Sequence, residues 1–323
     1  MFIKRPELFH GKSGKRPFFE GWYHKMSSKD ERSIVVIPGI YQSGECRNKT
    51  AFLMLYQGSN GRVDYIPYDT KDFNCNQRSY ELQLGENFFS LDNVILNFQN
   101  DRLDVKGQIT TKGLNPWPVT LFEHGCMGWY GYVPSMECFH GILSMDHKID
   151  GYITVNDDHI DFNDGRGYIE KDWGKNFPKD WIWAQSNHFK EDDISVSASL
   201  ATIPWKNYEF SGFIIGILYK GELYKFTTYN FSKHVKISFD NDKLHWVIKK
   251  GKLTLELEIR KGSLSGLLYA PDRKDMIPKV NEYLDGNISF QLKDSNRILI
   301  DQSSNHAAVE IVGKTERLIQ NAI

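Results

Sequence analysis

The sequence has little of what marks the commoner protein classes. It holds only four cysteines, Cys46, Cys75, Cys126 and Cys138, in 323 residues, and no two are spaced as Cys-x-x-Cys. That excludes a disulfide scaffold, and we read all four as free thiols. Long apolar runs are missing too. The longest clear one, Phe213 to Tyr219, is seven residues, where a spanning helix needs roughly 20. The start, Met1 to Glu7, has no apolar core of signal-peptide length, so the expected location is cytoplasmic. Neither sign of charge is in excess. Lys plus Arg total 40 and Asp plus Glu total 41, which leaves a net charge of −1. No nucleic-acid partner is expected from that balance, nor a polybasic handle for anionic lipid.

Familiar catalytic signatures are also absent. There is no phosphate loop, no Gly-x-Gly-x-x-Gly turn and no His-Glu-x-x-His. Gly262 to Gly266 misses a serine-hydrolase elbow by one place and reads as a glycine-flanked strand edge. Asp161 to Gly165 misses a calcium loop in a similar way, because its glycine comes early and Asp172 holds the last place. Two hairpin turns, at Asn156-Asp157-Asp158 and Asn163-Asp164-Gly165, explain that stretch more simply. No metal is expected.

What is abundant is aromatic bulk, 14% of the chain, with 8 Trp, 16 Tyr and 20 Phe. A β-rich core or a large apolar ligand would each use it. Wherever a period can be read, it is two. Val235 to Phe239, Leu244 to Ile248 and Leu253 to Ile259 alternate and are separated by polar turns, which predicts an antiparallel meander. The same alternation marks Arg62–Tyr68, Tyr80–Leu84, Val94–Phe98, Leu103–Thr110, Gly151–Val155, Ile194–Ala201, Ile288–Leu292 and Ile298–Ile300. Helical periodicity is confined to Thr315 to Ile323. The predicted class is all-β.

Gly14-Lys15-Arg16-Pro17 before Trp22-Tyr23 has a counterpart in Gly174-Lys175-Asn176-Phe177-Pro178 before Trp181-Ile182-Trp183. This hints at duplication, with domains at 1–165 and 166–323.

Two segments stand out chemically. Tyr168 to Gln185 carries three tryptophans, Trp173, Trp181 and Trp183, around the close carboxylates Glu170 and Asp172. On a strand, Tyr168, Glu170 and Asp172 share one face. A carboxylate pair turned inward among indoles would be poorly solvated, which favours a protonated acid able to donate. The alternative is that both face solvent or pair with Arg166 and Lys171. Met127 to Gly141 adds Trp129, Glu137 and His140, groups suited to proton transfer or to a strand corner with His140 in the core.

At Pro17-Phe18-Phe19-Glu20-Gly21-Trp22-Tyr23-His24-Lys25, Trp129-Tyr130-Gly131-Tyr132-Val133-Pro134 with Glu137 to Gly141, and Gly167 to Gln185, the sequence resembles the tocopherol cyclase family. The resemblance implies two lipocalin-like antiparallel β-barrels, a fold related to carotenoid hydratases. It implies cofactor-independent closure of a chromanol ring: an acid protonates a prenyl-quinol alkene, and a phenol oxygen traps the tertiary cation. A carotenoid-hydratase-like reaction and a non-catalytic lipocalin-like carrier are the alternatives. Asp172 would be the acid and Glu170 its partner or substitute. Trp173, Trp181 and Trp183 would stabilise the cation by cation–π attraction. Tyr168, His140 and Glu137 would orient the phenol, with Trp22 and Trp129 completing the pocket. The implied partner is a hydrophobic prenyl or terpenoid molecule. Transient membrane-surface contact and oligomeric state are left open. Unlike the plant enzymes, the chain is expected to carry no plastid transit segment.

Overall fold

The computed structural model describes residues 5–11, 17–44, 49–205, 207–272 and 274–322. Gly14, Lys15, Arg16, Cys46 and Ile323, all named above, lie outside the described residues.

The chain divides into two compact units, Met1–Phe177 with Tyr269–Pro278, and Pro178–Leu268 with Lys279–Ile323. The expected boundary at residue 165 therefore sits too early. The strand that begins at Gly165 pairs into the first sheet, and the break follows it at Phe177.

The first unit holds twelve strands: β1 (Phe18–Ser27), β2 (Ser33–Gln42), β3 (Lys49–Gln57), β4 (Arg62–Tyr68), β5 (Phe73–Cys75), β6 (Glu81–Leu84), β7 (Asn87–Ser90), β8 (Asn93–Gln99), β9 (Asp104–Lys112), β10 (Cys138–Val155), β11 (Asp158–Asp161) and β12 (Gly165–Gly174). They form one antiparallel sheet in the order β4-β3-β2-β1-β12-β10-β9-β8-β7-β6-β5, with β11 on β10. The expected hairpin turns are both present, with Asn156 and Asp164 at positive φ, 54° and 55°.

The remaining strands are β13 (Trp181–Ser186), β14 (Ile194–Trp205), β15 (Tyr208–Tyr219), β16 (Glu222–Thr227), β17 (Lys233–Asp240), β18 (Lys243–Lys250), β19 (Leu253–Arg260), β20 (Ser265–Pro271), β21 (Met276–Asp294) and β22 (Arg297–Val312). Their order is β16-β15-β14-β13-β22-β21-β19-β18-β17, with β20 on β21. The predicted meander is β17-β18-β19. A short helix, Thr315–Gln320, follows.

The two sheets repeat one topology. In each, the first strand pairs with both the second and the last, so a sequential meander curls back on itself. β1 and β13 are the two strands that follow Pro17 and Pro178. Neither sheet is a closed barrel, which corrects the two-barrel expectation. Among the described residues, no ladder joins β4 to β5 or β16 to β17. Pro67 on the edge strand β4 has no amide proton to offer a further strand. At the other opening, Lys225 O on β16 is taken by the side chains of Asn230, at 3.0 Å, and Lys250, at 3.1 Å. Edge groups satisfied in this way need no further strand.

Period two explains the cores. Trp22, Ile34, Val36, Leu53, Leu55, Val105, Leu143 and Ile169 fill the first. Ile182, Val196, Ile215, Trp246, Leu257 and Phe290 fill the second. In the first unit the opposite face is also buried: Val35, Phe52, Met54, Tyr56 and Tyr168 are each under a tenth exposed.

Candidate active site

β12 is the strand to which the candidate chemistry belongs. Its residues alternate between two faces. Ile169 packs in the first core, and Lys171 and Trp173 share its side. Tyr168, Glu170 and Asp172 point away from that core. The neighbouring strands fix what meets them. His140 of β10 lies directly opposite Asp172, and Ile142 lies opposite Glu170. On the other side Gly21 of β1 faces Asp172, and Tyr23 faces Glu170. Paired residues of antiparallel strands put their side chains on one face.

The result is a compact acid–imidazole cluster. His140 Nδ1 lies 2.9 Å from Asp172 Oδ1, and His140 Nε2 lies 3.6 Å from Glu170 Oε2. The Tyr168 hydroxyl donates to Glu170 Oε2 at 2.5 Å. The cluster is sealed at one end and open at the other. The Glu170 side chain is 7% exposed, but that of Asp172 is 26% exposed. Cys126, held by its Sγ on the His140 carbonyl oxygen at 3.2 Å, backs the histidine. Burial pushes the Cys126 and Cys138 thiols above the ordinary range, with Glu170 and Asp172 adding to the effect.

His140, Glu170 and Asp172 can each offer a ligand atom within 4.8 Å of the others, the one such group among the described residues. One imidazole and two carboxylates would suit a divalent ion. Here the histidine turns one nitrogen toward each carboxylate, so the atoms that would bind metal engage one another.

Both proposed cation partners of the carboxylates have another acid within reach. Arg166 pairs with Asp146, at 2.6 Å. Lys171 lies on the other face, in a buried ion pair with Glu20 that the sequence reading missed. Glu20 also accepts from His10 N, at 2.9 Å, and Gly11 N, at 3.1 Å. The Lys171 ammonium sits 4.4 Å from the Trp22 ring centre and 5.0 Å from that of Trp173. Burial drives the Lys171 ammonium down, opposed by the Glu20 charge. Strand alternation was the available signal, since a residue between 170 and 172 must point the other way.

The remaining candidates are spread out. Trp173 stacks on His10 at 4.4 Å, across the strand from the acids. Trp22 shares that inner side. Glu137 is exposed and contributes its backbone carbonyl to Lys175 N at 2.7 Å. Trp129 is 45% exposed and stacks on Tyr130. Trp181 and Trp183 belong to the second unit, on β13, where Trp181 Nε1 donates to Glu310 Oε2 at 2.6 Å. Glu310 lies opposite the buried Glu282, an acid pair the sequence reading did not pick out. The near-elbow serine, Ser265, opens β20 as the strand edge expected, and Ser263 Oγ just before it donates to Asp285 Oδ2 at 2.6 Å.

Fold and cluster together define a class: an all-β protein of two curled antiparallel sheets with two carboxylates on the strand that closes the first sheet and a histidine opposite them on β10. A family model described as tocopherol cyclase-like matches residues 93–313, and the chain belongs to that family. It is 24% identical to a probable chloroplastic tocopherol cyclase of Oryza sativa subsp. japonica, over 94% of this chain and 77% of that protein. It is 22% identical to the chloroplastic tocopherol cyclase of Zea mays, with the same coverage. The crystal structure of CghA shares the fold, with a TM-score of 0.61 at 9% identity over 97% of this chain and 93% of that one.

Proposed function

We propose that the protein is an acid-catalysed cyclase or hydratase that acts on the alkene of a prenylated quinol or related terpenoid. The observation that carries this reading is the half-open cluster. Asp172 reaches the accessible end, His140 holds it from behind, and the sealed Glu170–Tyr168 pair lies on the far side of that histidine.

Asp172 donates the proton. The alkene π pair forms the new C–H bond and leaves a tertiary cation at the neighbouring carbon. A phenol oxygen lone pair then closes the C–O bond, and its proton returns to Asp172, directly or through His140 Nδ1. Atoms balance as an isomerisation; water in place of the phenol gives hydration instead. General acid catalysis of this kind contributes typically ~10²–10⁴-fold. Among the rings on the acid's own face, Tyr23, Phe19 and Phe52 lie beside it and take the cation-facing role expected of Trp173, Trp181 and Trp183.

Asp172→Asn and Glu170→Gln should each lower turnover of a prenylated hydroquinone by about 10²-fold or more without lowering the melting temperature. Turnover untouched in both variants would remove the assignment. Chelator treatment separates acid from metal chemistry: turnover that survives it fits the proposal, and turnover that a divalent ion restores would give the three donors to that ion. Tight binding of the quinol with no turnover in the unmodified protein would make it a carrier.

A further inference from the structure

One lateral row of residues crosses the acid face from strand to strand: His140 on β10, Asp172 on β12, Gly21 on β1, Gly39 on β2 and Phe52 on β3. Two neighbouring members of this row have no side chain. Strands lie about 4.8 Å apart, so the acid and the phenyl group start about three strand spacings from each other. The Phe52 ring folds over Gly39, where a Cβ would come within 2.4 Å of its Cζ. It stops short of Gly21. A Cβ added there would meet only ordinary contacts: Ile37 Cγ2 at 3.5 Å, Pro38 O at 3.8 Å and Phe52 Cζ at 4.0 Å. Gly21 is half-buried, beside the open end of the acid cluster.

Alternation places Phe19 and Tyr23 on the same face, on either side of Gly21. The gap therefore has apolar walls, Phe19, Tyr23, Ile37 and Phe52, and one polar edge, Asp172. We propose that this gap is the subsite for the branched, methyl-bearing end of the substrate alkene, and that Gly21 sets its size. The inference rests on the acid-catalysed reading and adds the residue that sets the fit of the alkene's branch, Gly21. A methyl group fits the place of the missing side chain, which brings the double bond against Asp172. The positive charge that follows protonation then forms between aromatic rings.

The test compares two hydroquinones, one with a trisubstituted prenyl alkene and one with an unbranched chain of equal length, on the unmodified protein, Gly21→Ala and Phe52→Leu. A trisubstituted alkene gives a tertiary cation and an unbranched one a secondary cation, so the branched compound reacts faster in any acid site, and the subsite is read from the change in the branched-to-unbranched ratio between proteins. Gly21→Ala should keep its melting temperature, because its new contacts are ordinary ones. It should cut kcat/KM for the branched compound about tenfold or more and leave the unbranched one nearly unchanged, as expected where one methyl group decides the fit. Phe52→Leu should widen the gap and admit a bulkier branch. If Gly21→Ala keeps the branched-to-unbranched ratio while Asp172→Asn abolishes turnover, the subsite is wrong and the acid assignment stands. If the unmodified protein turns over neither compound, their dissociation constants are read by tryptophan fluorescence. A branched preference in binding that Gly21→Ala removes keeps the subsite and discards the reaction. No preference in binding discards both.

Discussion

At the scale of single residues, the acid face is set by who stands opposite whom. Asp172 has His140 on one side and a glycine on the other, so it is held and approachable at once. Glu170, two places back, has Ile142 and Tyr23 as neighbours and is closed in. Cys126 and Cys138 near this site, and Cys75 on the edge strand β5, are chemically quiet for the same reason of burial. Burial raises Cys126 and Cys138 well above the ordinary thiol range and pushes Cys75 up to about 12. Thiolate is the reactive form, and little of it exists at neutral pH. A Cys46→Ser variant should therefore react slowly with a thiol reagent at pH 8 while folded, and release three equivalents on unfolding. Fast labelling of the folded variant would contradict these burials. That Tyr168, Glu170 and Asp172 share a face was legible from alternation alone. That Arg166 meets Asp146 and Lys171 meets Glu20 was not, because both acids come from strands distant in sequence.

At the scale of elements, β12 separates two kinds of polar site. Its outer face carries the acids. Its inner face carries Lys171, paired with Glu20 of β1 and donating to Leu8 O, with His10 3.1 Å away. The pair ties the residues before β1 to the sheet. Removing one member of a buried pair leaves an uncompensated charge and costs about 3–5 kcal/mol, while replacing both can be nearly neutral. Lys171→Met should thus lower the urea midpoint strongly, and Glu20→Gln with Lys171→Met should recover much of the loss. Equal loss in the single and double variants would mean that packing, not charge, dominates. The elements themselves were largely readable: the predicted meander is β17-β18-β19, and the terminal helix begins at Thr315. The segment from Met127 was less so. It forms a tight 3-10 turn, Gly125–Tyr132, kinked at Gly128 with φ of 56°, before β10 begins at Cys138.

At the scale of the molecule, two histidines couple folding to pH. Burial lowers His24 and His147 to about 3 each, from an ordinary value of 6.5. His24 Nε2 lies 2.7 Å from the Tyr80 hydroxyl, and His147 Nδ1 lies 3.0 Å from Ser144 Oγ. Their folded values lie below the unfolded one, so the unfolded chain binds protons first as pH falls. The stability they secure is complete above pH 6.5 and is lost progressively toward pH 3. Each contributes up to about 1.4 kcal/mol per pH unit in that window. Urea midpoints should fall clearly between pH 7 and pH 5, and His24→Gln with His147→Gln should flatten the slope. A flat profile in the unmodified protein would count against neutral burial.

The sequence by itself determined the all-β class, the repeat of a proline-led aromatic strand in each half, and the grouping of Tyr168, Glu170 and Asp172. All three follow from local chain geometry, since side chains alternate along any strand. Only the tertiary structure decided that each sheet stays open at one seam, that His140 meets Asp172, that Lys171 meets Glu20 and that a glycine gap lies beside the acid. These depend on the lateral register between strands distant in sequence. Register is fixed by burying one face of every strand at once, a condition no single segment carries.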